Sequence, residues 1–309
     1  MTTKEKEIIR EALEAYAERK GSQNKAAASM KGVSSATVSQ VLNGNWDLIT
    51  DDMWRTIASQ IGASEREWQV VETRGYRRMT TLLTDAQQNA LVVAITGDAG
   101  SGKSEAVKRY EQQNKNVYHL CCSEFWNRKH FMNELLRKMG IEHSGYTVAE
   151  MMDEIVQVLK RQDRPLVVLD EADKLSDQVL YFFISLYNAL EDRCGIVLCA
   201  TQYLEKRIKR GIRQEKKGYR EIYSRFGRRF IPLQVVNADD IAAVCVANGV
   251  TDESDIESVI AESDNDLRRV KRRIHAIKTA NAERAKTANA ERAKTANAER
   301  AKTADAERQ

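Results

Sequence analysis

The chain predicts an α/β fold: a parallel sheet of five strands, with a small all-α unit ahead of it and a short helical segment behind. Three observations carry that expectation. Short apolar runs at Leu91–Ile95, Val117–Cys121, Leu166–Leu169, Gly195–Ala200 and Phe230–Val236 are separated by longer stretches, several of helical period, the pattern of successive βα units. The first run opens onto Gly97-Asp98-Ala99-Gly100-Ser101-Gly102-Lys103-Ser104, which fits G-x-x-x-x-G-K-[ST] at every fixed position. The third delivers Asp170-Glu171 at its carboxyl end, the edge where a doubly wound sheet binds its ligand.

The chemistry of the loop follows from its residue types. Glycines open backbone angles closed to other residues, so successive N–H groups converge on a phosphate. Lys103 reaches the β- and γ-phosphates of a bound nucleotide, Ser104 ligates Mg2+, and the helix expected over Glu105–Gln113 points its positive end at the same anion. Asp170 belongs with Ser104 in the Mg2+ shell, and Glu171 is placed to polarise an attacking water. Thr201, at the end of the fourth run, falls between the two motifs and suits a γ-phosphate or water contact. A strand followed by Asp-Glu is a weak signal alone and a strong one downstream of a matching phosphate loop.

Taken in order, residues 1–20 form an amphipathic helix with Ile8, Ile9, Leu13, Tyr16 and Ala17 on one face. Ser22 caps a short helix through Ser29, Gly32 supplies a turn, and Ser34 caps a second helix to Leu42, making a helix-turn-helix candidate. Ser35, Thr37, Ser39 and Gln40 have short polar side chains suited to DNA contact, although this helix carries no Lys or Arg; an interaction module is the other reading. Residues 49–61 complete the bundle, so 1–71 reads as the first domain and 72–81 as a polar, basic linker. The nucleotide core spans 82–236, with helices near Phe125–Met139 and Val148–Arg161, and Pro232 marks its last strand as an edge. Helices over Ala238–Asn248, over Asp252–Ala261 and from about Asn265 make a lid at 237–277. The tail, 278–309, repeats KTANAERA from Lys278, Lys286 and Lys294 and ends as KTADAERQ; eight residues is not a heptad and no large apolar residue recurs, so it predicts a solvated, partly helical extension.

Composition bounds the rest. With 42% hydrophobic and 30% charged residues the chain has a real core and a hydrophilic surface, and no apolar run approaches the roughly 18 residues of a membrane span. The charged N-terminus is no secretion signal, so a cytoplasmic protein is expected. Cys121, Cys122, Cys194, Cys199 and Cys245 lack CxxC spacing and read as small apolar residues, not as metal or disulfide sites. The net charge of +4 is unevenly spread. Lys206, Arg207, Lys209, Arg210, Arg213, Lys216 and Lys217 open a basic stretch that runs to Arg229, and Arg268, Arg269, Lys271, Arg272 and Arg273 form a second. Such local excess suits a polyanion partner, a solvated helix face being the plainer alternative.

Over residues 1–277 the motif series GDAGSGKS, VVLDEAD, GIVLCATQ and SRFGRR, preceded by a Cro-like helix-turn-helix segment, resembles the AAA+ ATPases and among them the phage Mu B transposition proteins. The resemblance implies a DNA-stimulated ATPase that assembles into helical filaments on DNA with little sequence preference, selects target DNA and activates a transposase. It implies a sensor role for Thr201, an arginine finger at Arg225 with Arg228 competing for the part, and a second sensor at Arg268. A replication initiator or helicase loader, and a helix-turn-helix transcription regulator using ATP as a switch, share these nucleotide motifs.

Overall fold

The computed structural model describes residues 1–63, 68–284 and 287, and it separates into two compact units. The first holds residues 1–63 and 74–235; the second holds 68–73 and the described residues from 236 onward.

Four helices open the first unit: α1 (Thr3–Lys20), α2 (Gln23–Ala28), α3 (Ser35–Leu42) and α4 (Asp51–Ile61). Each has the cap its sequence calls for. Thr2 and Glu5 form a reciprocal capping box on α1, and the hydroxyls of Ser22, Ser34 and Thr50 accept backbone N–H groups at the starts of α2, α3 and α4. Ile9, Leu13, Val38, Val41, Trp54, Ile57 and Ile61 share one apolar core, in which Trp46 meets Trp54 edge-on at 5.5 Å.

This bundle is fastened to the remainder of its unit by polar contacts. The Lys20 ammonium donates to the Lys138 carbonyl at 2.7 Å and lies 5.7 Å from the Tyr118 ring, within the field of the Glu111 carboxylate. Arg137 donates to the Ser29 carbonyl at 2.9 Å. Burial pushes the Lys20 amine down to about 8, against the pull of Glu111.

The sheet of the first unit comprises β1 (Val92–Thr96), β2 (Val117–Cys121), β3 (Leu166–Asp170), β4 (Gly195–Ala200) and β5 (Phe230–Pro232) in the order β2-β3-β4-β1-β5, every pair parallel. Side chains alternate between two cores. Val167, Leu169, Ile196 and Leu198 face the helices α7 (Arg128–Met139), α8 (Val148–Arg161), α9 (Asp177–Leu190), α10 (Gln202–Arg213) and α11 (Tyr219–Arg225). Val168, Val197, Cys199 and Ile95 face α5 (Arg74–Gln88) and α6 (Lys103–Gln113). Burial on both faces is why these strands read as unbroken apolar runs. Gly195 admits the close approach of α5: a Cβ there would meet the Ala86 carbonyl at 2.3 Å.

Three expectations change. Residues 74–81 are the first half of α5, not linker, because Met79, Leu82, Leu83 and Ala86 at helical spacing bury themselves against the sheet. The helix expected from Phe125 starts at Arg128, where the Asn127 side chain caps it, and Phe125 is left exposed. The fifth strand stops at Pro232 instead of running to Val236; its last ladder bond is from the Leu233 N–H to the Thr96 carbonyl at 2.7 Å, and the N–H that Pro232 lacks would have faced the open edge of the sheet.

The second unit contains α12 (Ala238–Ala247), α13 (Glu253–Ser263) and α14 (267–284). Residues 68–73 complete it: Trp68 and Val71 pack with Val236, Ile241, Val259, Val270 and Ile274. Gln69 exchanges two 3.0 Å hydrogen bonds with the Asn248 side chain. The octapeptide tail beyond 284, Thr287 aside, lies outside the described residues. Among the described residues no helix is long and apolar enough to cross a membrane.

Candidate nucleotide site and basic face

Parallel register brings the chemistry to one edge. β4 lies between β1 and β3, so the loop after β1, the carboxylates ending β3 and Thr201 after β4 emerge side by side; Thr96 pairs with Ala200 and Leu169 with Leu198. The Gly97 N–H donates to the Ala200 carbonyl at 3.1 Å, fixing where the loop departs.

Within the loop, Gly100 and Gly102 take φ of +76° and +87°, angles that favour glycine. Gly102 is the N-cap of α6 and supplies no side-chain oxygen, so the first N–H groups of the helix keep the orientation an anion needs. The Lys103 ammonium folds over this cradle and donates to the carbonyls of Gly97 and Asp98 at 2.8 and 2.9 Å and to the Ser101 hydroxyl at 3.2 Å. Burial draws its pKa below that of an ordinary lysine, with Asp170 and Asp173 among the charges opposing that shift.

Asp170 is buried. Burial alone would raise its carboxyl; hydrogen bonds from His119, the Ser104 hydroxyl and the Glu171 N–H outweigh it and hold the group below the usual carboxylate range. The Ser104 hydroxyl and the ionised Asp170 carboxylate it hydrogen-bonds fit a hard cation with oxygen ligands. Glu171 follows in a left-handed conformation, φ +56°, with its carboxylate 2.6 Å from the Lys174 ammonium. Thr201 caps α10, donates to Asp173 Oδ2 at 2.8 Å and accepts the Tyr203 N–H at 3.3 Å.

Two residues of this edge were not singled out from sequence. Asp173 anchors Thr201. His119, on β2, places Nε2 3.3 Å from Asp170 Oδ2 and 3.5 Å from Cys121 Sγ. Burial lowers the imidazole pKa, but the Asp170 and Cys121 contacts outweigh it and raise the group to about 9. Cys121 is the exposed cysteine of the five, whereas Cys122, Cys194, Cys199 and Cys245 are buried as expected.

The basic residues divide by what they touch. Lys206, Lys209, Arg210, Arg213, Lys216 and Lys217 are exposed on and just after α10. Arg207 departs from the expected DNA-contact set: it turns inward, donates to the carbonyls of Leu175 at 2.6 Å and Asp173 at 3.3 Å, and pairs with Asp177. Its face of α10 is the buried one, along with Leu204, Ile208 and Gly211. In the N-terminal bundle Ser35 is exposed, the Thr37 hydroxyl meets Ser34 Oγ at 2.9 Å, and Gln40 is half-buried.

Arg225 is engaged within its own chain, 3.1 Å from Glu221 and 4.9 Å over the Tyr187 ring. Arg228 is exposed, in a left-handed turn with φ +57°. Arg268 is exposed near the start of α14 in the second unit, its N–H donating to Asp266 at 2.7 Å.

Residues 84–208 match the family model described as an AAA domain. The chain is 23% identical over 263 residues to the ATP-dependent target DNA activator B of Escherichia phage D108 and of Escherichia phage Mu, alignments that span 81% of this chain and 80% of each relative. It is 24% identical over 248 residues to the Mu-like prophage FluMu DNA transposition protein B of Haemophilus influenzae, covering 77% of this chain and 85% of that one. Among solved structures, Cdc6p from Pyrobaculum aerophilum superposes with a TM-score of 0.51 at 17% identity, over 71% of this chain and 65% of its own length, a likeness of fold.

Proposed function

Starting from a Mu B-like AAA+ ATPase, we propose that the chain is an ATP-dependent DNA-binding protein that captures target DNA and activates a partner transposase. It binds duplex DNA with little sequence preference, assembles on it as a helical filament, and hydrolyses ATP faster when DNA is bound. The supporting observation is the double anchoring of α10. The helix that presents the basic face starts at Thr201, bonded to Asp173, and sends Arg207 back to the carbonyls of Asp173 and Leu175. A phosphate backbone pressing on its outer side therefore acts on the turn that follows Asp170 and Glu171.

In this reading the N–H groups at the start of α6 and Lys103 hold the triphosphate, while Ser104 and Asp170 hold Mg2+. Bound there, Mg2+ neutralises charge developing between the β- and γ-phosphates. Glu171 must leave Lys174 to orient water, so the left-handed turn at Glu171 is the element expected to move. Arg228, exposed in its own chain, is better placed than Arg225 to reach a neighbour's γ-phosphate, and Arg268 takes the second-sensor role that the resemblance implies. The N-terminal bundle, with its helix-turn-helix pattern, adds polar DNA contacts through Ser35, Thr37 and Gln40 or serves as a docking module.

Electron microscopy of the full chain with non-specific duplex DNA tests the proposal. Helical filaments should form with ATP and be absent without nucleotide. Discrete particles at a single preferred sequence would overturn it in favour of an initiator or regulator.

A further inference from the structure

The sheet edge where Asp170 stands beside the phosphate loop also gathers a different set of donors. His119 Nε2, Cys121 Sγ and an Asp170 carboxylate oxygen all lie within 4.8 Å of one another. The imidazole is 3.3 Å from the carboxylate and 3.5 Å from the sulfur. A tetrahedral zinc ion, with bonds of about 2.0–2.1 Å to nitrogen and oxygen and about 2.3 Å to sulfur, sets its ligands about 3.3 Å apart for N and O and about 3.6 Å apart for N and S. The two measured separations match those edges.

The donor chemistry agrees with the spacing. Thiolate, imidazole and one carboxylate are ligands for a borderline-soft divalent ion, not for Mg2+, which prefers oxygen throughout. The surroundings are those of a supported site. The other Asp170 oxygen is fixed by the Glu171 N–H at 3.0 Å, as ligating carboxylates are commonly held. His119 and Asp170 are buried at 6% and 1% exposure, while Cys121 stands at the surface, giving an ion a way in. An ion pair alone would account for His119 beside Asp170; it does not account for a thiol directed at the same imidazole nitrogen.

We propose that His119, Cys121 and Asp170 form a three-ligand site for Zn2+ or a similar ion, with water as the fourth ligand. Binding exchanges the thiol proton, and any second proton on the imidazole, for metal bonds, and both leave to solvent. Because Asp170 is shared, and on the reading that it also serves Mg2+, the two metals exclude each other. Zn2+ then arrests the nucleotide cycle while the remainder of the loop stays intact.

Cobalt titration of the nucleotide-free full chain tests the site without reference to ATP. One equivalent of Co2+ should give a thiolate-to-cobalt charge-transfer band in the near ultraviolet and tetrahedral bands in the visible, both displaced by Zn2+. Cys121→Ser, a surface change that leaves the core untouched, should abolish the charge-transfer band and weaken Zn2+ binding at least tenfold in a chelator competition. Absence of the band in the unaltered chain, or its persistence in Cys121→Ser, overturns the proposal. Separately, Zn2+ should suppress Mg2+-dependent nucleotide binding in the unaltered chain and do so at least tenfold less potently in Cys121→Ser. A cobalt band with no such competition would keep the site and refute the sharing of Asp170.

Discussion

The Lys103 ammonium donates to two backbone carbonyls and one hydroxyl of its own loop, contacts it would exchange for phosphate oxygens. It is the loop's side-chain cation, so Lys103→Ala should reduce binding of a fluorescent ATP analogue by at least about 100-fold, the order of one lost charge-assisted contact in a partly buried site. Glu171→Gln keeps the shape of the turn but removes the carboxylate. Nucleotide affinity should stay within about threefold, while turnover falls by about 10²–10⁴, the usual range for a lost general base. Hydrolysis by Glu171→Gln at the unaltered rate would move that role to another residue. This part of the site was legible in the sequence because a phosphate loop is contiguous: eight neighbouring residues carry both the shape and the charge. His119 was not legible, since its meaning comes from a strand 51 residues away and only β2–β3 pairing brings Asp170 beside it.

The helix α10 shows why counting charges is a coarser guide than facing them. Its sequence offers an even run of Lys and Arg, yet the buried stripe of Leu204, Ile208 and Gly211 turns Arg207 inward and Lys206, Lys209, Arg210 and Arg213 outward. Changing those four exposed residues to Gln should flatten the dependence of DNA affinity on salt, lowering the log–log slope by about 3 to 4, since each phosphate contact contributes about 0.9. An unchanged slope would place the DNA elsewhere. The N-terminal helix gives a second test through Lys20, whose amine is lowered from 10.5 to about 8. Below about pH 8 it is charged whether folded or unfolded, and its burial opposes folding in full. Between about 8 and 10.5 the folded chain sheds the proton first, the unfolded chain holds more, and stability rises with pH. Relative to Lys20→Met, the unaltered chain should gain about 2 kcal/mol from about pH 7.5 to about pH 9.5 in denaturant unfolding. A constant difference would mean that Lys20 titrates as it does in water.

Across the whole molecule the proposal requires neighbours to complete one another's sites. Arg228→Ala should bind ATP normally and lose DNA-stimulated hydrolysis, and mixing it with Lys103→Ala should restore part of the rate in proportion to co-assembly. No rescue from co-assembled mixtures would rule out a finger acting between subunits. At this scale the sequence conveyed the strands well and their surroundings less well. Each two-sided strand is a short closed apolar run, so β1 to β4 were found nearly to the residue. The helix α9 gives little signal because DQVLYFFISLYNAL is apolar on most sides and shows no polar stripe, and 74–81 reads as linker because its charges outweigh a periodicity that begins to repeat only at Met79. What decides both is the partner surface, which lies elsewhere in the chain.

The membership of residues 68–73 in the second unit has a mechanical consequence. Those residues precede the nucleotide core in the chain, and residue 236 follows it, so the segment 74–235 is an insertion held at both of its ends by one body. A body on a single tether can swing through a wide cone; the chain passes between these two units three times, entering the second at 68 and 236 and leaving it at 73, and each passage removes rotations that one tether would allow. Any opening or closing of the C-terminal unit during a nucleotide cycle would be geared to the start of α5 and to the end of β5 at the same time. Cutting the chain after Val235 removes more than a lid: Trp68 and Val71 lose the apolar partners they pack on, and the entry to α5 loses its moorings.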